Sequence, residues 1–141
     1  MCVAGIDCYV LVIDDNSRDG AANVVARLAE ITGKVSVIVR PRRVGLGSAY
    51  IDGFKHVLEK MKDADVVVEM DTDGSHDPKL LPQLVNPVLK GESDVIVGSR
   101  YVGWGKWAGE TKGREIISRG ANLLARICTG VKIKDLTSGY R

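Results

Sequence analysis

The chain has 141 residues, 45% of them hydrophobic and 27% charged, with a formal net charge of +2. That balance is the one expected of a single soluble globular domain, and disorder is not indicated. The longest apolar runs are about six residues, far short of the roughly 20 that cross a bilayer. Met1 is followed by neither a basic nor a long apolar stretch, so no secretory signal is read. The small net charge conceals an asymmetry, because residues 1–98 hold 11 Lys/Arg against 15 Asp/Glu whereas residues 99–141 hold 9 against 3. A part suited to holding a cation is followed by a part suited to facing an anion. Cys2, Cys8 and Cys128 have no metal-ligand spacing and read as reduced thiols of a cytosolic protein.

Cys8–Ile13 is a continuous apolar run that ends in Asp14 and Asp15, the pattern of a buried parallel strand. After the polar turn NSRDG, the apolar residues Ala21, Val24, Val25, Leu28 and Ile31 recur at helical spacing, and Gly33 supplies the stop. Val35–Val39 is a second β-branched strand. A basic loop, RPRRVGLG, leads into a helix with Tyr50, Phe54, Val57, Leu58 and Met61 on its apolar positions. Val66–Met70 reads as a third strand, again ending in carboxylates, Asp71 and Asp73. Pro78 opens a helix that Pro82 and Pro87 keep short or kinked. Asp94–Val97 reads as a fourth strand. Residues 99–112, rich in Gly and Trp and without periodicity, read as a mobile loop. Gly113–Thr129 is a helix with Ile116, Ile117, Ala121, Leu124, Ile127 and Cys128 as its apolar stripe. This alternation predicts one α/β domain over residues 1–141, a mostly parallel sheet with flanking helices. Ligands of such sheets bind beyond the carboxyl ends of the strands, where both acidic clusters stand.

Asp71 and Asp73, one residue apart at a strand end, can present hard oxygens to one Mg²⁺ or Mn²⁺, with a substrate diphosphate completing the coordination. A turn in which Asp side chains bond their own backbone explains the same residues without a metal. Asp14 and Asp15 suit the donors of a nucleoside, although an Asp here also caps a following helix; one of the pair is expected to orient and the other to touch ligand. Arg114 and Ser118, four apart on the last helix, share a face and join Arg100 as a seat for phosphate, against the plainer reading of a solvated basic face. His76 borders this region or serves structure. Trp104 and Trp107 serve lipid or lid contacts, or simply pack the loop.

Taken together, VIDDNSRDG, GLGSAY, VEMDTDGSHDP, VGSRY, KGREIISRGAN and DLTSGYR resemble family-2 glycosyltransferases, above all the dolichol-phosphate or polyprenol-phosphate mannosyltransferase branch. The resemblance implies a Rossmann-like GT-A fold, a nucleotide-sugar donor (usually GDP-mannose), Mg²⁺ or Mn²⁺, and a polyprenyl or dolichyl phosphate acceptor. It places the protein peripherally at the cytoplasmic face of a membrane, alone or with a membrane-anchoring subunit, and nucleic acid is not among the partners it implies. Carried over by position, Asp14, Asp15 and Asp71 contact the nucleotide sugar. Asp71, Asp73 and Ser75 stand on the metal side, with Ser75 where close relatives often have Gln. Arg100, Arg114 and Ser118 take phosphate, and Asp73, Arg100 and Arg114 carry the catalysis. Ser138 and Arg141 lie in a TSGFR-type ending to which no role is assigned.

The family normally begins with a further strand and a PTYNE-like loop and continues past the TSGFR-type ending, so a partial domain is expected here. The chemistry expected is a direct displacement that inverts the anomeric carbon. Three other readings stand beside it: a haloacid-dehalogenase-type phosphatase using Asp71 as nucleophile, a response-regulator receiver, and a non-catalytic module that binds nucleotide sugar.

Overall fold

The computed structural model describes residues 2–99 and 112–131 and, of the closing segment, residues 133, 135, 136 and 138–141. The described chain opens on a small hairpin. Strand β1 (Cys2–Val3) pairs antiparallel with β2 (Ile6–Asp7) around Ala4 and Gly5, whose φ angles of 49° and 85° give the twist a two-residue turn requires. Two compact units follow from the contacts along the chain, Met1–Asp65 and Val66–Arg141.

In the first unit, β-branched residues build the parallel pair of β3 (Val10–Asp14) and β4 (Val35–Val39), in the register Val10↔Val35 through Asp14↔Val39. Helix α1 (Ala21–Thr32) connects them and packs on β4, although of the apolar residues read from its spacing Val24, Leu28 and Ile31 stay exposed. It starts after Asp19, whose carboxylate accepts the Ala21 N–H at 3.0 Å, and stops at Gly33. There φ is 63°, and the Gly33 N–H donates to the Ala29 carbonyl at 2.9 Å. Helix α2 (Leu46–Lys60) lies against β3, and a Cβ at Gly53 would stand 3.6 Å from Ile13 Cγ1, an ordinary contact distance. The first strand thus begins two residues later than the apolar run alone predicts, because Cys8 and Tyr9 link β2 to β3 instead of entering the ladder.

The second unit departs further from the sequence reading. Val66–Met70 and Asp94–Val97 carry no strand ladder. Glu69 of the first stretch and Gly98, just past the second, bond instead to the closing segment. The Glu69 N–H donates to the Arg141 carbonyl at 2.5 Å, the Arg141 N–H returns to Glu69 at 3.3 Å, and the Gly98 N–H donates to the Tyr140 carbonyl at 2.8 Å. These isolated pairs lack the repeated register that defines a strand.

Pro78 opens a short 3-10 turn, Pro78–Leu80, capped by the Asp77 carboxylate on the Lys79 N–H at 2.9 Å. It runs into α3 (Leu81–Leu89), where Leu84 and Val85 are buried. With Pro82 in the first turn and Pro87 inside, the helix is nine residues long.

Helix α4 (Lys112–Thr129) spans the predicted segment, but its burial is inverted. Ile116, Ile117, Leu124 and Ile127 are exposed, whereas Asn122 is 2% exposed. The Asn122 carboxamide accepts the Leu136 N–H at 2.6 Å and donates to Asp135, itself fully buried, at 3.4 Å. The closing segment therefore docks on the polar face of the helix, where hydrogen bonds rather than apolar area fix its place. No described helix is long and apolar enough to cross a membrane.

The turn after α1 yields a stability test. Replacing Gly33 by Ala puts a Cβ into left-handed backbone and is expected to cost about 1 kcal/mol, read as a lower urea midpoint with an unchanged slope. An unchanged midpoint would show that the turn relaxes at no cost.

Candidate functional site

The carboxyl ends of β3 and β4 carry the first group of polar side chains. Asp14, the last residue of β3, is 7% exposed, and its Oδ2 accepts the Ser17 N–H at 2.9 Å. Between them Asn16 takes a left-handed turn with φ of 57°. The Ser17 hydroxyl and N–H hold the Asp14 carboxyl below the ordinary carboxylate range, and the charge of Arg43 contributes less. Asp14 is thus the residue of the acidic pair that orients the turn.

Asp15 points to a different partner. Its Oδ1 accepts Arg40 Nε at 2.5 Å and also faces Nη2 of the same guanidinium. Arg40 is 5% exposed and has three further acceptors: Ser48 Oγ at 2.9 Å, Asp52 Oδ2 at 3.2 Å and the Gly45 carbonyl at 3.3 Å. Burial opposes the guanidinium's charge, but the bonds to Asp15 and Asp52 outweigh it and hold the group above its ordinary value. Beside this cluster an open depression of about 430 Å³ is lined by Asp15, Asn16, Arg18, Pro41, Arg42 and Arg43. It lies where ligands of parallel sheets bind, at the carboxyl strand ends. A carboxylate with three cationic side chains suits a ligand that is both anionic and rich in hydroxyl or N–H donors.

Reading the sequence singled out Asp14 and Asp15 but gave Arg40 no role beyond a basic loop. The missing signal was register. With Asp14 opposite Val39 at the last rung, Asp15 and Arg40 are the residues that follow directly on the two strand ends.

The second group is the DTDGSHDP turn of the second unit. Asp71, Asp73 and Ser75 lie within it, and the Ser75 N–H donates to Asp73 Oδ1 at 2.9 Å. The Ser75 hydroxyl and N–H lower the Asp73 carboxyl below its ordinary value, so it stays ionised. The Asp71 N–H donates to His76 Nδ1 at 3.0 Å, which leaves Nε2 to carry the ring proton, 4.0 Å from Asp71 Oδ2. An open depression of about 460 Å³ is lined by Asp71, Thr72, His76 and Pro78 among others.

The closing segment braces this turn. The Tyr140 ring stacks on His76 with centroids 4.9 Å apart and planes 19° from parallel, and its hydroxyl donates to the Asp77 carbonyl at 2.9 Å. The Ser138 hydroxyl donates to the Gly98 carbonyl at 2.5 Å, and Arg141 Nε donates to Glu69 at 2.6 Å. At Gly139 the approach is so close that a Cβ would stand 2.8 Å from Asp71 Oδ2. Ser138 and Arg141, left without a role by the sequence, are therefore parts of this brace.

Two carboxylates on an exposed turn are the donor set of a hard divalent ion that keeps waters and takes ligand phosphate oxygens. Among the described residues no group of three or more His, Cys, Asp or Glu stands together. Of the cationic seat read from the sequence, Arg100 and the side chain of Arg114 lie outside the described residues, and so do Trp104 and Trp107, read as lipid, lid or packing residues. Ser118 is half-buried on α4, its carbonyl accepting Asn122 Nδ2 at 3.0 Å.

Residues 5–141 match the family described as glycosyl transferase family 2. The chain is 42% identical over 132 residues to undecaprenyl-phosphate mannosyltransferase of Micrococcus luteus, covering 94% of this chain and 53% of that protein. It is 40% identical over 134 residues to polyprenol monophosphomannose synthase of Mycolicibacterium smegmatis, covering 94% of this chain and 49% of that protein. The chain spans about half the length of the curated relatives it matches.

The Asp14 turn predicts a pH dependence. A carboxyl held low in the folded state stabilises the fold above its unfolded value of about 3.9, and that contribution is lost as pH falls through the lower folded value. Asp14→Asn should therefore flatten the acid limb of the stability curve below about pH 4, measured by urea unfolding across pH. A variant with the same acid limb as the unaltered chain would remove Asp14 as its source.

Proposed function

The chain belongs to glycosyl transferase family 2, whose fold is the Rossmann-like α/β GT-A fold, and from that premise we propose that it is the donor-binding part of a mannosyltransferase acting on a polyprenyl phosphate. The donor in this reading is GDP-mannose, and the acceptor is the phosphate of a polyprenyl or dolichyl carrier at the cytoplasmic membrane surface. The observation that carries it is the 42% identity, over 94% of the chain, to an enzyme named for that carrier and that sugar.

Each group of residues then has a task. Asp15, with Asp14 orienting its turn, accepts donors from the nucleoside. Asp71 and Asp73, with Ser75 beside them, would hold Mg²⁺ or Mn²⁺, whose charge offsets that of the departing diphosphate. Arg100, Arg114 and Ser118 take the acceptor phosphate. A phosphate monoester is largely dianionic near neutrality, since its second pKa is about 6. Its oxygen can therefore attack the anomeric carbon without a general base. The new carbon–oxygen bond forms on the face opposite the leaving nucleoside diphosphate, which inverts the centre. Positioning and electrostatics supply the rate. Membership of this family sets aside the phosphatase and receiver readings of the same acidic motifs.

Incubation with radiolabelled GDP-mannose or UDP-glucose, a polyprenyl phosphate and Mg²⁺ tests the proposal, both on this chain and on one extended with flanking segments of a relative. Lipid-extractable label from GDP-mannose is expected, and its absence from both proteins overturns the reading. In the active protein, Asp73→Ala should lower metal-dependent transfer by ~100-fold or more, the scale for removing one stabiliser of transition-state charge. Retained transfer would take Asp73 out of the mechanism.

The brace adds a second expectation. Gly139→Ala drives a Cβ into the Asp71 carboxylate and should weaken Mn²⁺ binding about tenfold, the scale seen when a ligand's supporting contacts are lost. Electron paramagnetic resonance of free Mn²⁺ reads this directly, and equal affinity would show that Asp71 is not a ligand or that the brace yields.

A further inference from the structure

Both Arg40 contacts with Asp15 fall on Oδ1. Among the described residues, Oδ2 of Asp15 has no protein partner, and the side chain keeps 25% of its exposure. The carboxylate therefore offers the depression one fixed acceptor oxygen while its charge is offset from behind. This matters for an anionic ligand, because a bare carboxylate beside a diphosphate would repel it. The same guanidinium reaches the Gly45 carbonyl and Ser48 Oγ, so it also ties the loop bearing Arg42 and Arg43 to the start of α2. Four acceptors in a planar fork need arginine, since the compact ammonium of lysine cannot reach them together.

We propose that Arg40 is a positioning residue for nucleoside diphosphate recognition: it holds Asp15 so that Oδ2 faces the ligand's hydroxyl or N–H donors beside Arg18, Arg42 and Arg43. The inference rests on the nucleotide-sugar reading above and adds the residue that sets the acceptor's geometry. Arg40 itself is buried behind Asp15 and acts through it.

Titration calorimetry of the chain with GDP and with inorganic diphosphate, both with Mg²⁺, separates this role from a merely structural one. Arg40→Met should weaken GDP binding about tenfold, the scale of one charge-assisted hydrogen bond, and inorganic diphosphate by clearly less, since the latter feels the uncovered charge and loosened loop but makes no use of the Asp15 acceptor. Arg40→Lys should recover part of the loss. In an Asp15→Asn background, Arg40→Met should cost nothing further. Equal losses for the two ligands, or Arg40 and Asp15 effects that simply add, would overturn the inference.

Should circular dichroism show that Arg40→Met is unfolded, Arg40→Lys and Asp15→Asn decide, because each keeps a cation beside Asp52. GDP affinity unchanged in both would overturn the inference while leaving the nucleotide reading in place. Failure of the unaltered chain to bind any nucleoside diphosphate would instead remove the reading and the inference with it.

Discussion

A guanidinium that is 5% exposed must find acceptors within the protein, and this requirement organises the first unit. Arg40 meets it by drawing on the end of β3, the loop before α2 and the first two turns of α2. Removing one partner would leave a buried charge less well compensated, so the three elements are fixed together rather than singly. The strand ends, the basic loop and the depression they line inherit their geometry from that one compensated cation. Asp14 contributes separately, by shaping the turn that carries Asn16 and Ser17 away from β3.

The second unit solves a different problem. Its acidic turn is exposed and has little apolar area of its own to hold it, so shape is imposed by contacts from far along the chain. Tyr140 supplies a stacked ring under His76, Gly139 supplies closeness to Asp71, and Ser138 fastens the segment to Gly98. For the proposed metal role, these contacts would place the two carboxylates while leaving the turn open to phosphate oxygens.

Much of this was legible in the sequence because local chemistry dictated it. The apolar period of α1, the glycine that ends it and the β-branched run of β4 fall where the pattern places them. The order of motifs pointed to the family that residues 5–141 match. What escaped was set by distant partners. Val66–Met70 has the composition of a strand, yet Glu69 bonds a residue 72 positions away, which no periodicity announces. The burial of Asn122 in place of the apolar residues of α4 has the same origin, since Leu136 and Asp135 choose the helix face. Arg40 was hidden in a run of basic residues until the pairing of two strands brought its guanidinium to the Asp15 carboxylate.

The long reach of the brace has a consequence for the order in which the chain takes shape. Ribosomal synthesis releases residues 66–78 well before residues 138–141, at about 5–20 residues per second. Until the last of these emerges, His76 has no ring beneath it and Asp71 no backbone against its carboxylate. The acidic turn is therefore among the last parts of its unit to mature, and contacts of such separation are also the slow ones to close during refolding.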